Sequence, residues 1–222
     1  MISLYYPAGP ASSARQMEKH MLDKDLRVLI HDLRNRIAPI RNATYLMGLR
    51  AGTDAQLRDA TALIERQIEA MAGLLDAALP ARPQAAGDGF PVAAEKHDAN
   101  TGQCSRRVLV ADDSQAVCES LAAILRDLGH EVRTAQDGQE AVDMASAWMP
   151  DFVLLDVNMP RLNGYEAARR LRSQFPSAAM RLVMISGADL EPAVLEAARQ
   201  AGFDQCLDKL LDFGALKKML ES

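Results

Sequence analysis

DFVLLDVNMPRLNG, residues 151–164, opens on an apolar run, Phe152 to Leu155, that stops at a carboxylate, Asp156. Behind it come Pro160 and Gly164, residue types of a tight loop. A buried strand that delivers one acid to its C-terminal end is how an open parallel sheet offers a reactive group to solvent. By itself the pattern also describes a strand followed by an ordinary turn acid, so the decision falls to the residues around it.

Working outward, the C-terminal half repeats the pattern. Val108 to Ala111 reads as a short strand ending in the acid pair Asp112–Asp113. Ser114 is a candidate cap for a helix carrying Val117, Leu121, Ile124, Leu125 and Leu128. Val132 to Ala135, Leu182 to Ser186 and Gln205 to Asp208 read as further strands. Gln139 to Trp148, Tyr165 to Ser173, Ala193 to Ala201 and Phe213 to Leu220 read as the remaining helices. Five such βα units predict an α/β, doubly wound parallel sheet with helices on both faces. Every candidate reactive group then stands at a strand's C-terminal end: Asp112, Asp113, Asp156, Ser186 and Lys209. In an open α/β sheet those ends surround one crevice. Carboxylates gathered there repel one another and call for a cation, and all-oxygen ligands favour Mg²⁺. Lys209 offers a point charge for a phosphoryl group and Ser186 a hydroxyl donor.

This constellation closely resembles the receiver domain of bacterial response regulators, over Arg106 to Ser222. The resemblance implies a flavodoxin-like (βα)5 fold with Asp156 as phospho-acceptor. It implies a Mg²⁺ site of Asp112, Asp113, Asp156 and Asn158, in which Asp113 ligates directly, Asp112 acts largely through water and Asn158 lends its backbone carbonyl. Ser186 and Lys209 would contact the phosphoryl oxygens. Two positions depart from the family: Cys206 aligns with its switch aromatic, and Leu210 stands where a proline usually follows the lysine.

Residues 11–80 have a different period. Leu26, Leu33, Ile40 and Met47 fall seven apart, and Leu22, Leu29 and Ala43 fill a second seam interrupted by Arg36. Gly48, Gly52 and Thr53 mark a turn, and Thr53 with Gln56 has capping-box spacing for a second helix. There Leu57, Ile64, Met71 and Ala78 share one seam and Thr61, Ile68 and Leu75 the other, to an end near Leu79 and Pro80. The expectation is an all-α antiparallel hairpin. Two helices cannot bury all these seams alone, so a homodimeric four-helix bundle is the expected completion. His31 falls at an outward position of the heptad, pointing to water, with Asn35 one turn on and Pro39 expected to kink the helix. An exposed histidine on a bundle is ordinarily just surface, but an imidazole is also a nucleophile towards phosphorus.

The stretch HDLRNRIAPIRNATYLM, residues 31–47, resembles the dimerisation and histidine-phosphotransfer domain of sensor histidine kinases. Its His31, Asp32, Leu33, Arg34, Asn35 match the family's box and Ala38 to Ala43 a downstream continuation, with Arg36 at the usual proline. The resemblance covers roughly Leu22 to Leu79. It implies His31 as the phospho-accepting histidine, Asp32 as the acid that assists transfer and Asn35 as the polar residue linked to phosphatase activity. Residues 81–105 show no apolar period and read as a flexible linker, and residues 1–10 as a tail. They leave no room for the family's ATP-binding domain, so self-labelling from ATP is not expected.

Composition sets the frame. The 222 residues suit one large or two small domains, and 49% hydrophobic with 25% charged residues is ordinary for a globular protein. A net charge of −5 argues against general nucleic-acid binding. Cys104, Cys118 and Cys206 show no metal spacing and fit a reducing compartment. MISLYYPAGP lacks the basic and apolar regions of a signal peptide, and no stretch approaches the ~18 apolar residues of a membrane span. The expected protein is cytoplasmic, with no membrane and no nucleic acid among its partners. It carries out Mg²⁺-dependent phosphoryl transfer between His31 and Asp156. The expected partners are a second copy, a sensor histidine kinase or phosphotransfer protein, and another response regulator. Two alternatives stay open: a dimeric response regulator whose hairpin only dimerises while its phosphorylated receiver controls docking, and a degenerate hybrid kinase served by a separate ATP-binding subunit.

Overall fold

Side chains alternate across a strand, so a strand buried on both faces feeds two cores at once. The computed structural model describes residues 10–78, 105–176, 179–187, 192–210 and 213–221. The expected tail 1–10 and linker 81–105 lie, but for Pro10 and Ser105, outside the described residues. The elements in chain order are α1 (Pro10–Arg50), α2 (Ala55–Ala78), β1 (Arg107–Ala111), α3 (Gln115–Asp127), β2 (Glu131–Ala135), α4 (Gly138–Trp148), β3 (Phe152–Asp156), α5 (Gly164–Gln174), β4 (Arg181–Ser186), α6 (Pro192–Ala201), β5 (Gln205–Asp208) and α7 (Phe213–Leu220).

The five strands form one sheet in the order β2-β1-β3-β4-β5, every neighbouring pair parallel. Leu109, Val153, Leu155, Leu182 and Met184 turn to one face, where they pack with α4, α5 and α6. Val108, Val110, Phe152, Leu154, Val183 and Ile185 turn to the other and pack with α3 and α7. The expected strands are thus observed to within one residue at their starts, and the C-terminal half is the flavodoxin-like receiver fold.

The strand order reverses between β1 and β3, and their register decides the site. Ala111 pairs with Leu155, so Asp112 and Asp156 emerge side by side from adjacent strands. Ser186 pairs with Asp208 across β4 and β5, so Lys209 emerges beside it and donates its backbone N–H to the Ser186 carbonyl at 2.7 Å. Two glycines shape the loops above. A Cβ on Gly164 would lie 2.2 Å from the Asp156 carbonyl oxygen, and one on Gly138 2.1 Å from that of Leu162. No other residue fits either position.

Two local expectations are corrected. The Ser114 hydroxyl makes no capping hydrogen bond to α3; its backbone N–H instead donates to Asp112 Oδ1 at 2.9 Å. The cap of α2 is Asp54, whose Oδ1 accepts from the Leu57 N–H at 3.1 Å, and not Thr53. Helix α1 runs as one element through Pro39.

The hairpin departs further from its heptad reading. The seam Thr61, Ile68, Leu75 of α2 does turn inward, with Thr61 and Ile68 buried. On α1, however, the buried residues among those whose side chains are described are Ile30, Arg34, Ala38, Asn42 and Thr44, while Leu29, Ile40 and Met47 of the expected seams are exposed. The reason is the receiver itself: α1 lies along α3 and α7. Tyr45 stacks on Phe213 with ring centroids 4.1 Å apart, Asn42 Nδ2 donates to Ser120 Oγ at 2.9 Å, and Arg50 pairs with Asp127 at 2.9 Å.

Candidate phosphoryl-transfer site

Asp112 and Asp156 are almost wholly buried, while Asp113 is exposed at the mouth of the crevice. Carboxylate oxygens of the three lie within 4.8 Å of one another. Lys209, equally buried, threads between them: its Nζ is 2.7 Å from Asp112 Oδ2 and 3.4 Å from Asp156 Oδ1. Burial pushes Asp112 up to about 6, with the Asp156 charge adding to the effect and Lys209 opposing it. Burial also raises Asp156, with Asp113 adding to it against Lys209. For Lys209 burial works against the ammonium, but Asp156 and Asp112 outweigh it and hold the group above its ordinary value. One buried cation therefore does not satisfy the acids around it. Both Asp156 carboxylate oxygens are buried without a hydrogen-bond donor in good geometry. An oxygen-only donor set with unsatisfied carboxylates fits a hard divalent cation such as Mg²⁺.

Ser186 is buried at the end of β4, where the sequence placed it. The Asn158 side chain is exposed two residues beyond Asp156. Leu210, at the family's proline position, uses the N–H a proline would lack: it donates to Asp208 Oδ1 at 2.7 Å. Cys206 is half-buried against the α4–α5–α6 core, and burial lifts its thiol to about 11. Cys118 lies directly beneath the site, its Sγ 3.4 Å from the Asp112 carbonyl oxygen.

The correction that matters most concerns His31. It does not point to water. The ring is half-buried against the end of β4, its Cδ2 3.3 Å from where a Cβ on Gly187 would stand, and the Lys209 Cδ lies 3.7 Å from that same point. Its Nε2 is buried with no hydrogen-bond partner. Burial lowers the His31 pKa, Lys209 lowers it further, and Asp113, Asp112 and Asp32 oppose them. Asp32 is 55% exposed and is held by Arg36 Nε at 3.0 Å, so the residue that replaces the family's proline engages the neighbouring acid. Asn35 is half-buried with an unpartnered Oδ1.

The heptad reading missed Arg34, Arg41 and Gly187. Arg34 Nη1 donates to the Gly187 carbonyl and Arg41 Nη1 to the Leu210 carbonyl, each at 2.5 Å. Their seven-residue spacing, with His31 one turn before the first, was the signal available in the sequence.

A family model described as response regulator receiver domain matches residues 108–221. Response regulator MprA of Mycolicibacterium vanbaalenii is 44% identical over 110 residues, which cover 47% of this chain and 42% of that protein. Transcriptional regulatory protein PdtaR of Mycobacterium tuberculosis is 43% identical over 98 residues, 44% of this chain and 46% of that one. The match thus spans under half the length of these relatives. Among solved structures, the chemotaxis response regulator CheY4 of Vibrio cholerae aligns at 30% identity and a TM-score of 0.49, covering 53% of this chain and 98% of that one. No described helix is long and apolar enough to cross a membrane. Through residues 108–221 the chain belongs to the response regulator receiver family.

Proposed function

We propose that this chain is a phosphorelay protein in which a phosphoryl group passes between Asp156 of the receiver and His31 of the hairpin. The observation that carries the reading is the meeting of an imidazole and a carboxylate crevice at one rim, where the His31 ring and the Lys209 side chain both come within 4 Å of the point at which a Cβ on Gly187 would stand. Asp156 is the nucleophile and the site of the acyl phosphate; Lys209 and Ser186 hold phosphoryl oxygens. Asp112, Asp113 and Asp156, with the carbonyl of Asn158, would hold Mg²⁺, which supplies the charge that lets a dianionic donor approach three carboxylates. At ~4 Å each like-charge pair costs roughly 4 kcal/mol at an effective dielectric of 20. His31 supplies a second phosphoryl-accepting nitrogen, with Asp32 and Asn35 beside it on the helix. The upstream partner is a sensor histidine kinase or another phosphotransfer protein, and the exposed apolar residues of α1 and α2 support a homodimer.

The test is to supply labelled acetyl phosphate to the full chain with Mg²⁺. Alkali-labile label that vanishes in Asp156→Asn and in chelator is expected. So is a smaller alkali-stable, acid-labile fraction that vanishes in His31→Ala. Asp156 label that persists in chelator would contradict the metal role, and a missing alkali-stable fraction would reduce the hairpin to a dimeriser.

A further inference from the structure

We infer that His31 and Asp156 of one and the same chain are the exchange pair, and that Arg34 and Arg41 are positioning residues that set helix α1 in register for it. The inference rests on the phosphotransfer reading above. Each arginine grips the residue next to a phosphoryl-contact residue. Arg34 holds the carbonyl of Gly187, which follows Ser186, and Arg41 holds that of Leu210, which follows Lys209. Two attachment points seven residues apart are separated by about 10.5 Å along a helix. They fix its axial position and its rotation together. His31, three residues before Arg34 on the same face, is thereby brought to the rim.

The rest of the face continues the contact. Asn42 on Ser120, Tyr45 on Phe213 and Arg50 on Asp127 run along α3 and α7, all within one chain. Arg34 and Asn42 are buried polar residues, so the face is built for a polar surface and not for a second apolar helix. The buried, unpartnered Nε2 of His31 is the second observation: an orphaned polar atom costs stability and is retained where something else uses it. The covalent connection between Ala78 and Ser105 gives His31 a high local concentration at this crevice, which a second chain must outcompete.

The step balances without a further reactant once Asp156 carries a phosphoryl group from an acyl phosphate or a protein phosphohistidine. The Nε2 lone pair forms an N–P bond as the acyl O–P bond of phospho-Asp156 breaks. The carboxylate leaves with the electron pair, and the Nδ1 proton stays on the ring. The reverse step breaks N–P and restores O–P.

Labelled acetyl phosphate with Mg²⁺ is again the probe. His31→Ala and Asp156→Asn chains are co-expressed in equal amount, so that mixed assemblies form in which only exchange between chains can label His31. Same-chain exchange predicts that they form less than a tenth of the wild-type alkali-stable label; a tenth or more overturns it and leaves the phosphotransfer reading standing. Arg34→Ala and Arg41→Ala are expected to lower alkali-stable label at least tenfold while Asp156 label and helicity hold, and Arg34→Lys to recover most of it. Unchanged alkali-stable label, or loss of both labels in parallel, overturns the positioning role. Absence of alkali-stable label in the wild type removes the phosphotransfer reading itself and this inference with it.

Discussion

At the scale of single residues, the site is made by where strands stop. Asp112 and Asp156 each follow an apolar run on adjacent strands, and the register of β1 with β3 leaves them no choice but to meet. That much was legible, because a run of four apolar residues ending in an acid is visible in a string of letters. What was not legible is how tightly the next loop closes. A Cβ on Gly164 would fall 2.2 Å from the Asp156 carbonyl and 2.9 Å from the Val157 Cα, both backbone atoms with no rotamer to yield. Gly164→Ala therefore displaces the backbone of Asp156 and Val157. A loss of about 1–3 kcal/mol is expected, read as a lower midpoint in urea, with slower labelling of Asp156 by acetyl phosphate. Gly73 is the control: a Cβ there meets nothing within 4 Å. Within helix α2, Gly73→Ala is expected to stabilise by about 0.5–1 kcal/mol. Equal effects of the two substitutions would mean that the Gly164 contact is not as drawn.

At the scale of elements, the hairpin carries two faces that the heptad could not tell apart. A seven-residue apolar repeat announces that a helix has a partner, but not what the partner is. The period predicts leucine and isoleucine inward, whereas α1 buries Arg34 and Asn42 against a receiver surface that offers carbonyls and a hydroxyl. Polar partners leave no periodic signature, so His31 was placed in water when its neighbour was Gly187. Part of the apolar seams remains without cover in the single chain. Leu29, Ile40 and Met47 on α1, with Leu63, Ile64 and Met71 on α2, are exposed, whereas Met149 is the one large exposed hydrophobic residue of the receiver among the described residues. Covering one such side chain is worth about 1.5–3 kcal/mol. Sedimentation is expected to show a dimer that Ile64→Asp with Met71→Asp dissociates, at unchanged Asp156 labelling. A wild-type monomer at tens of micromolar, or a double variant that stays dimeric, would point to another occupant of this face.

At the scale of the whole molecule, the question is whether the hairpin is part of the receiver's fold or a guest on it. Both cores of the sheet are closed by the receiver's own helices, α4, α5 and α6 on one side and α3 and α7 on the other. Among the described residues, the hairpin adds only Tyr45 and Leu46 to the second core, as partly buried residues at its edge. The Tyr45–Phe213 stack contributes about 0.5–1.5 kcal/mol beyond the area it buries. The exposed Arg50–Asp127 pair contributes at most about 1 kcal/mol. The relay proposed above would need a docked element that can leave and return, with phosphorylated Asp156 meeting His31 at one moment and a small or macromolecular donor at another. Residues 105–222 alone are therefore expected to unfold cooperatively. Their thermal midpoint should fall below that of the receiver in the full chain, because they lose the Tyr45 stack, the Arg50 pair and the hydrogen bonds of Arg34, Arg41 and Asn42 that docking supplies. Without His31 and Arg34 at the rim, acetyl phosphate also meets less obstruction, so Asp156 of the fragment should label at least as fast as in the full chain. Calorimetry and intact-mass spectrometry read the two quantities on the same sample. A fragment that fails to fold would make the hairpin an integral layer of the receiver, and a fragment that folds but labels several-fold more slowly would mean that α1 assists the acceptor instead of standing over it.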